Sequence, residues 1–309
     1  MKYFKLDTKS HFEEKDLCLA IGNFDGFHKG HIAILNSLKK IAFHNKQISA
    51  IMSFSPHPRE FFDNQKENFN IYSRSDKINF LKKFDIDIYI EFNFDKNLSD
   101  LSATQFVESI LINKLNIKNV VVGKDFKFGK DRSGNFKILQ NHSKDDNFNV
   151  HLVESIMVSD GSDKYSSSII RENIKNGEME KANFALGRAW HITGKIIEGD
   201  KRARKINFPT ANIIPGKHIN PRKGVYCVEV NYNNEKYFGI SNFGERPTVD
   251  GSKLLLETHI FNFNQEIYGK DLTVQFLTFI RPEQKFANFD KLAKQIKKDI
   301  EIDKKYHKL

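Results

Sequence analysis

Gly22-Asn23-Phe24-Asp25-Gly26-Phe27-His28-Lys29-Gly30-His31 is the segment that decides the fold of the first half of the chain. It emerges from the β-rich run Leu17–Phe24 and leads into Ile32–Ala42, where apolar residues recur at helical spacing. A strand, a tight glycine-bearing turn and a helix start place unpaired N–H groups and a positive dipole end where a phosphate can bind. His28 and His31, three residues apart, project towards that anion from one turn. A lone histidine at a helix start is usually only a polar cap. Two at this spacing could hold a metal, but no nearby Cys or His supplies further ligands. The strand–turn–helix setting, with Gly, Asp and both His, favours nucleotide binding.

Working outward, Ile48–Phe54, Ile86–Phe92, Val120–Gly123 and Val150–Ile156 read as further strands. Lys77–Phe84 and Ala103–Leu115 carry apolar residues at helical spacing between them. This alternation predicts a mostly parallel sheet covered on both faces, with ligands beyond the carboxyl ends of its strands. The pattern changes near Leu186. His191–Ile197, Gly224–Val230, Tyr237–Asn242, Leu254–Phe261 and Leu272–Phe279 are short, β-rich and punctuated by Pro215-Gly216, Asn233-Asn234 and Gly244. They predict antiparallel strands in a small barrel or sandwich. Near the end, Phe289, Leu292, Ala293, Ile296 and Ile300 share one helical face, with Lys and Asp opposite as a wet face. The domains are placed at 1–185 and 186–309.

The 309 residues suffice for two cores. With 39% hydrophobic and 28% charged residues, disorder is excluded; no apolar run approaches the roughly 20 residues of a membrane span, and the N-terminus has no signal-peptide pattern. A cytoplasmic protein without a membrane partner is expected. Cys18 and Cys227 lie in different halves and read as packed small hydrophobes. The net charge of +10 attracts polyanions, but the basic residues are mostly Lys interleaved with acids, which suits anionic small substrates better than a specific nucleic acid.

In the second half, Pro209-Thr210-Ala211-Asn212 reads as a rigid turn carrying a hydroxyl and an amide. Both suit a magnesium–phosphate complex, and both are also ordinary turn formers. Glu257 interrupts an apolar strand, where a carboxylate is costly unless it is exposed or employed.

The Gly22–His31 decapeptide resembles the GxFDGxHxGH signature of bacterial FAD synthetases, nucleotidyltransferases that share an HxGH motif. Phe54-Ser55-Pro56-His57-Pro58-Arg59 resembles the family's FxPHP segment. Val122–Gly129 with Arg132 and Gly134 resembles VGxDFRFGxxRxG, and Ser166–Arg171 resembles SSTxIR. From residue 187 to about 306, Phe208-Pro209-Thr210-Ala211-Asn212, Glu257 and Arg281–Phe286 resemble the riboflavin kinase domain. The resemblance therefore implies a Rossmann-like nucleotidyltransferase domain followed by a six-stranded β-barrel, together a bifunctional riboflavin kinase/FAD synthetase. Riboflavin, FMN, FAD and ATP are the implied small-molecule partners, with Mg2+ as cofactor.

Residue by residue, the resemblance implies ATP binding at the adenylylating site by Gly22, Phe24, Asp25, Gly26, His28, His31, Ser167, Ser168 and Arg171, with His28, His31 and Arg171 acting on the phosphates. It implies flavin binding there by His57, Asp125 and Arg132. In the kinase it implies Gly194, Thr210 and Asn212 for ATP, the last two also for Mg2+, and Arg281, Glu283 and Phe286 for flavin, with Glu257 as catalytic base. Flavin also implies aromatic neighbours, but the 28 Phe read mostly as core and none is singled out. The loop before Phe208 departs from the family's GRxLGFPTAN, with Ala203 and Asn207 where glycine is usual. That departure leaves one alternative, a synthetase whose decayed kinase half only binds flavin; the net charge of +10 leaves another, a non-enzymatic flavin sensor that binds RNA.

Overall fold

A computed structural model describes residues 1–63, 68–145, 147–156, 165–198, 208–248 and 251–308. They form two compact units, Met1–Glu67 with Arg74–Ser166, and Asn68–Ser73 with Ser167–Leu309.

The first unit is a parallel sheet of β1 (Lys2–Leu6), β2 (Leu17–Ile21), β3 (Ile48–Ser55), β4 (Ile88–Asn93), β5 (Ile117–Gly123) and β6 (Asn149–Val153), in the order β1-β4-β3-β2-β5-β6. The connections carry α1 (Lys29–Asn45), α2 (Pro58–Phe62), α3 (Arg74–Lys83), α4 (Lys96–Ser99), α5 (Ala103–Gln105) and α6 (Phe136–Asp145). The predicted helix Ala103–Leu115 is α5 running into a π-helical stretch, Phe106–Lys114. Central parallel strands are covered on both faces and must be apolar at every position. β2, Leu-Cys-Leu-Ala-Ile, is buried throughout: Leu17, Leu19 and Ile21 pack with Val107, Ile110 and Leu111, and Cys18 and Ala20 with Leu35 and Leu38 of α1. The chain steps from β2 through β3 to β4, then returns to the other side of β2 as β5, so the topological switch lies between β2 and β5. The edge strand β1 carried no signal in the sequence, because it pairs only with β4 and is largely exposed.

The second unit begins with α7 (Ser167–Asn176) and α8 (Met179–Leu186) and closes an antiparallel barrel of β7 (Trp190–Ile197), β8 (Ala211–Ile213), β9 (Gly224–Tyr232), β10 (Glu235–Thr248), β11 (Gly251–Ile260) and β12 (Asp271–Pro282). Both helices lie before residue 185 in whole or large part, yet they group with the barrel. Asn183 explains how: its Nδ2 donates to the Phe276 carbonyl at 2.8 Å, and its Oδ1 accepts from the Trp190 N–H at 2.8 Å. Asn233 and Asn234 turn β9 into β10 with φ of 49° and 65°, the left-handed pair that a two-residue hairpin requires. The expected turn at Pro209–Asn212 is half turn and half strand, since Ala211 and Asn212 open β8 and pair with β11.

The closing helix α9 (Phe289–His307) is present, but its polar residues are not all on the wet face. Leu292, Ala293, Ile296 and Ile300 are half-buried, Phe289 is exposed, and Asp299 and Asp303 are buried. Those two carboxylates fall on the helical stripe that faces the barrel, where strand residues receive them.

Asp303 faces Cys227 of β9, and His307 lies 3.5 Å away on its own helix and stacks on Phe238 of β10 at 4.0 Å. Glu229, Glu180 and Asp299 are the other acidic groups acting on this cluster. Burial pushes the Asp303 carboxyl up to about 6 and the His307 imidazole down, so both tend to their neutral forms. Burial also raises both cysteine thiols, Cys18 to about 12, in keeping with packed, unpaired cysteines. Between pH of about 4 and about 6 the folded chain keeps a proton at Asp303 that the unfolded chain has released. Stability from this group therefore falls as pH rises through that window and stays lower above it. Asp303→Asn is expected to stabilise the barrel at pH 7 by up to about 3 kcal/mol and to do nothing at pH 4. Thermal unfolding followed through Trp190 emission checks this; a variant no more stable at pH 7 contradicts it.

Candidate active sites

In the first unit, three adjacent strands deliver the motif segments to one edge of the sheet. β2 ends at Gly22, β3 runs into Pro56-His57, and β5 ends at Gly123 before Lys124 and Asp125. The Gly22 N–H donates to the Met52 carbonyl of β3 at 3.2 Å, which starts the turn. Within it, Phe24, Gly26 and Phe27 take φ of 45°, 88° and 44°. Only glycine adopts such angles freely; the two phenylalanines are held there by packing, being almost wholly buried, with Phe27 stacked on Phe80 at 4.4 Å. Asp25 is fully buried inside the turn.

His28 does act as the cap of α1. Its Nδ1 accepts from the His31 N–H at 3.3 Å, which leaves Nε2 to carry the proton of the neutral ring and to donate. The His28 and His31 rings stack at 3.7 Å. A Cβ on Gly30 would lie 3.1 Å from the His28 ring, so glycine there lets the imidazole lie across the first turn. His57 repeats the arrangement one strand over: it caps α2, with Nδ1 accepting from the Arg59 N–H at 3.1 Å. Beside it, Phe94 makes edge contacts with Phe54, Phe61 and Phe62 at 6.0, 5.3 and 5.8 Å, and Phe62 is 66% exposed. This aromatic group was not singled out in the sequence.

Ser155 approaches Asp125 at 3.5 Å, while Lys124, paired to Glu154 at 2.9 Å, is held above the usual lysine value by that contact. Arg132 sits exposed on a 3-10 turn. Lys77 reaches the Asn23 carbonyl at 3.3 Å, and Lys29 lies 5.1 Å from the Tyr165 ring; neither lysine was nominated. Ser167, Ser168 and Arg171 belong to the second unit, at the start of α7. Arg171 is buried there, with Nε donating to the Phe69 carbonyl at 3.0 Å and its guanidinium 3.8 Å from the Phe69 ring centroid.

In the barrel, register assembles the second site. Glu257 on β11 is paired with Asn212 on β8 and with Asn242 on β10, so three polar side chains share one face of three neighbouring strands. Asn242 Nδ2 lies 3.4 Å from Glu257 Oε2 and 3.3 Å from Glu283 Oε1. Arg246 donates through Nη2 to Glu257, and its Nη1 lies 3.6 Å from Glu283. Glu257 is thus employed: two donors hold it in place, and part of its carboxylate stays open to solvent. A Cβ on Gly244 would overlap the Glu283 carboxylate, so that glycine lets the segment after β12 approach β10. Asn212 is buried and donates Nδ2 to the Thr210 carbonyl at 3.4 Å, which directs its Oδ1 elsewhere. His259 Nδ1 donates to the Pro209 carbonyl at 2.9 Å and its ring packs against Phe208 at 5.4 Å, tying down the segment that leads into β8; burial lowers its basicity.

A Cβ on Gly194 would strike Ile213, so this glycine has a packing duty between β7 and β8. Arg281 lies near the end of β12, and Glu283 and Phe286 follow in the segment after it, the Arg281 guanidinium 5.7 Å from the Phe286 ring centroid. Ala203 and Asn207 lie outside the described residues. Asn242 and Arg246 were missed in the sequence. The usable signal was the interrupted apolar strand at Glu257, since a half-buried carboxylate demands donors on the strands beside it.

Thr210 Oγ1 and Asn212 Oδ1 are hard oxygen donors on one bend, a set that suits Mg2+ shared with substrate phosphates. Among the described residues no group of three or more His, Cys, Asp or Glu could hold a metal by itself.

Comparison with known proteins agrees with this division. The FAD synthetase family model matches residues 10–169 and the riboflavin kinase family model residues 186–307. A bifunctional riboflavin kinase/FMN adenylyltransferase from Haemophilus influenzae is 40% identical over 289 residues, 93% of each chain. The protein of the same description from Escherichia coli K12 is 34% identical over 91% of this chain and 90% of that one. A crystal structure described as a macrolide-efflux protein from Streptococcus pneumoniae covers 98% of both chains with a TM-score of 0.87 at 28% identity. Among the described residues of the present chain, no helix is long and apolar enough to cross a membrane.

Proposed function

Because the chain belongs to the bifunctional riboflavin kinase/FMN adenylyltransferase family, we propose that its barrel phosphorylates riboflavin to FMN and its parallel-sheet unit adenylylates FMN to FAD, each step using ATP. What supports the reading is that each unit holds motif residues of its own: His28 at the cap of α1, and Asn212, two residues after Thr210, paired with Glu257 across β8 and β11.

In the kinase, the ribityl 5′-hydroxyl of riboflavin attacks the γ-phosphorus of ATP, the bond from that phosphorus to the β–γ bridging oxygen breaks and ADP leaves, while the Glu257 carboxylate accepts the hydroxyl proton. Asn242 and Arg246 hold that carboxylate to one geometry, so little reorganisation is needed at the moment of transfer. Thr210 and Asn212 would hold Mg2+, which when bound neutralises charge between the phosphates. Glu283 and Phe286 flank the flavin, on the segment that Arg281 anchors.

In the adenylyltransferase, the FMN phosphate attacks the α-phosphorus of ATP and pyrophosphate leaves. The nucleophile is already anionic near neutral pH, so positioning and charge stabilisation carry the step. His28 Nε2–H and His31 donate to the phosphates at the start of α1, where the helix dipole adds to them. His57 and Asp125 meet the flavin, with Phe62 offering an exposed ring beside His57. Arg132 offers the flavin a positive charge from its exposed turn. Dependence of both steps on ATP supports a cytoplasmic location.

The test is chromatography of flavins after incubation with ATP and Mg2+, started in one tube from riboflavin and in another from FMN. FMN followed by FAD in the first tube is the expected result, with EDTA abolishing both. FAD only in the FMN-fed tube means that the barrel binds flavin without phosphorylating it. No product in either tube overturns the proposal.

A further inference from the structure

Arg281 closes β12, and its three side-chain nitrogens all donate within the chain. Nε lies 2.9 and 3.1 Å from the two oxygens of Asp299, Nη2 lies 2.8 Å from Oδ2, and Nη1 donates to the Pro282 carbonyl at 3.1 Å. Asp299 belongs to α9 and is 1% exposed. Gln295, one turn earlier, donates Nε2 to the same carboxylate at 2.9 Å. The guanidinium so fixed faces Phe286 at 5.7 Å. One buried carboxylate thus orients both ends of the Pro282–Phe286 segment, whose Glu283 reaches Asn242 and Arg246 beside Glu257.

We propose that Asp299 is a positioning residue of the kinase: by clamping Arg281 it holds Pro282–Phe286 in the shape that receives riboflavin. This rests on the reading of that segment as the flavin-binding one. An aspartate that merely docked α9 would need only some hydrogen-bonded partner on the barrel. Here the fork of Arg281 is matched to both carboxylate oxygens, an orientation that neither a lysine nor an amide reproduces.

The test compares wild type with Asp299→Asn, Arg281→Lys and the double variant, all in the full chain. Asp299→Asn is expected to raise the KM for riboflavin at least about tenfold, the scale of losing a charged, forked contact. The kcat and the KM for ATP stay within about threefold, and FMN adenylylation and Trp190 emission are unchanged. Arg281→Lys shifts the riboflavin KM the same way, and the double variant is no worse than the more affected single variant, because both remove one contact. If Asp299→Asn does not fold, Gln295→Leu, which removes a single donor, is expected to raise the same KM about threefold at unchanged kcat. An unchanged riboflavin KM in a folded variant, or a fall in kcat alone, overturns the inference and leaves the proposed function standing. A wild-type chain that phosphorylates no riboflavin overturns both.

Discussion

Replacing Glu257 by glutamine lowers the rate of riboflavin phosphorylation about 10²–10⁴-fold, the usual contribution of a general base, and leaves FMN adenylylation at the wild-type rate. Glutamine keeps the shape of the side chain and can still meet Asn242, so the pairing of β11 with β8 and β10 persists. What it loses is the ability to take the hydroxyl proton. Riboflavin affinity should move little, because Glu257 acts on the attacking atom and not on the ring. Steady-state kinetics of each half-reaction check this; a kinase within about threefold of wild type would show that the proton leaves by another route and remove Glu257 from its role.

The second large effect concerns His28. Asparagine is among the best helix caps, so His28→Asn keeps the acceptor for the His31 N–H while deleting the imidazole. FMN adenylylation is expected to fall about 10²–10³-fold, the scale of losing one preorganised donor to developing charge. Riboflavin phosphorylation and thermal stability should hold. The choice of asparagine decides between two roles that the geometry superimposes: His28 caps the helix through Nδ1 and can donate to phosphate through Nε2. If adenylylation survives the exchange, His28 is a cap and nothing more.

How far the sequence could be read depended on whether a residue's role was set locally or by register. The β2–turn–α1 segment was legible because its glycines, its apolar strand and its helical spacing all lie within about 25 residues, and each agrees with the others. Five of the six barrel strands were legible as short β-rich runs between turn residues; β8 was not, because its residues read as a turn. β1 was not, being an edge strand with one partner. Asn242 and Arg246 were invisible because nothing near them in the chain marks them; they matter only once β10 pairs with β11.

Asp299 and Asp303 show the limit most clearly. Helical periodicity identified the stripe of α9 that packs on the barrel, but residue chemistry assigned its aspartates to water. Position prevailed over polarity for two different reasons. Arg281 pairs with Asp299, whereas burial raises the Asp303 carboxyl to about 6, so Asp303 avoids the cost of a buried charge below that pH and bears it at pH 7.

The central claim is that one chain breaks ATP at two different bonds, one in each unit. The direct measurement supplies riboflavin and Mg2+ with ATP labelled either at the α- or at the γ-phosphorus, and follows the label into separated flavins. The account predicts that γ-label enters FMN and is retained in FAD, that α-label enters FAD and never FMN, and that Glu257→Gln slows only the first transfer, α-label still entering FAD at the wild-type rate when the variant is fed FMN. Labelled FMN from α-labelled ATP, or loss of FAD formation from FMN in the Glu257→Gln variant, would contradict the assignment of one reaction to each unit.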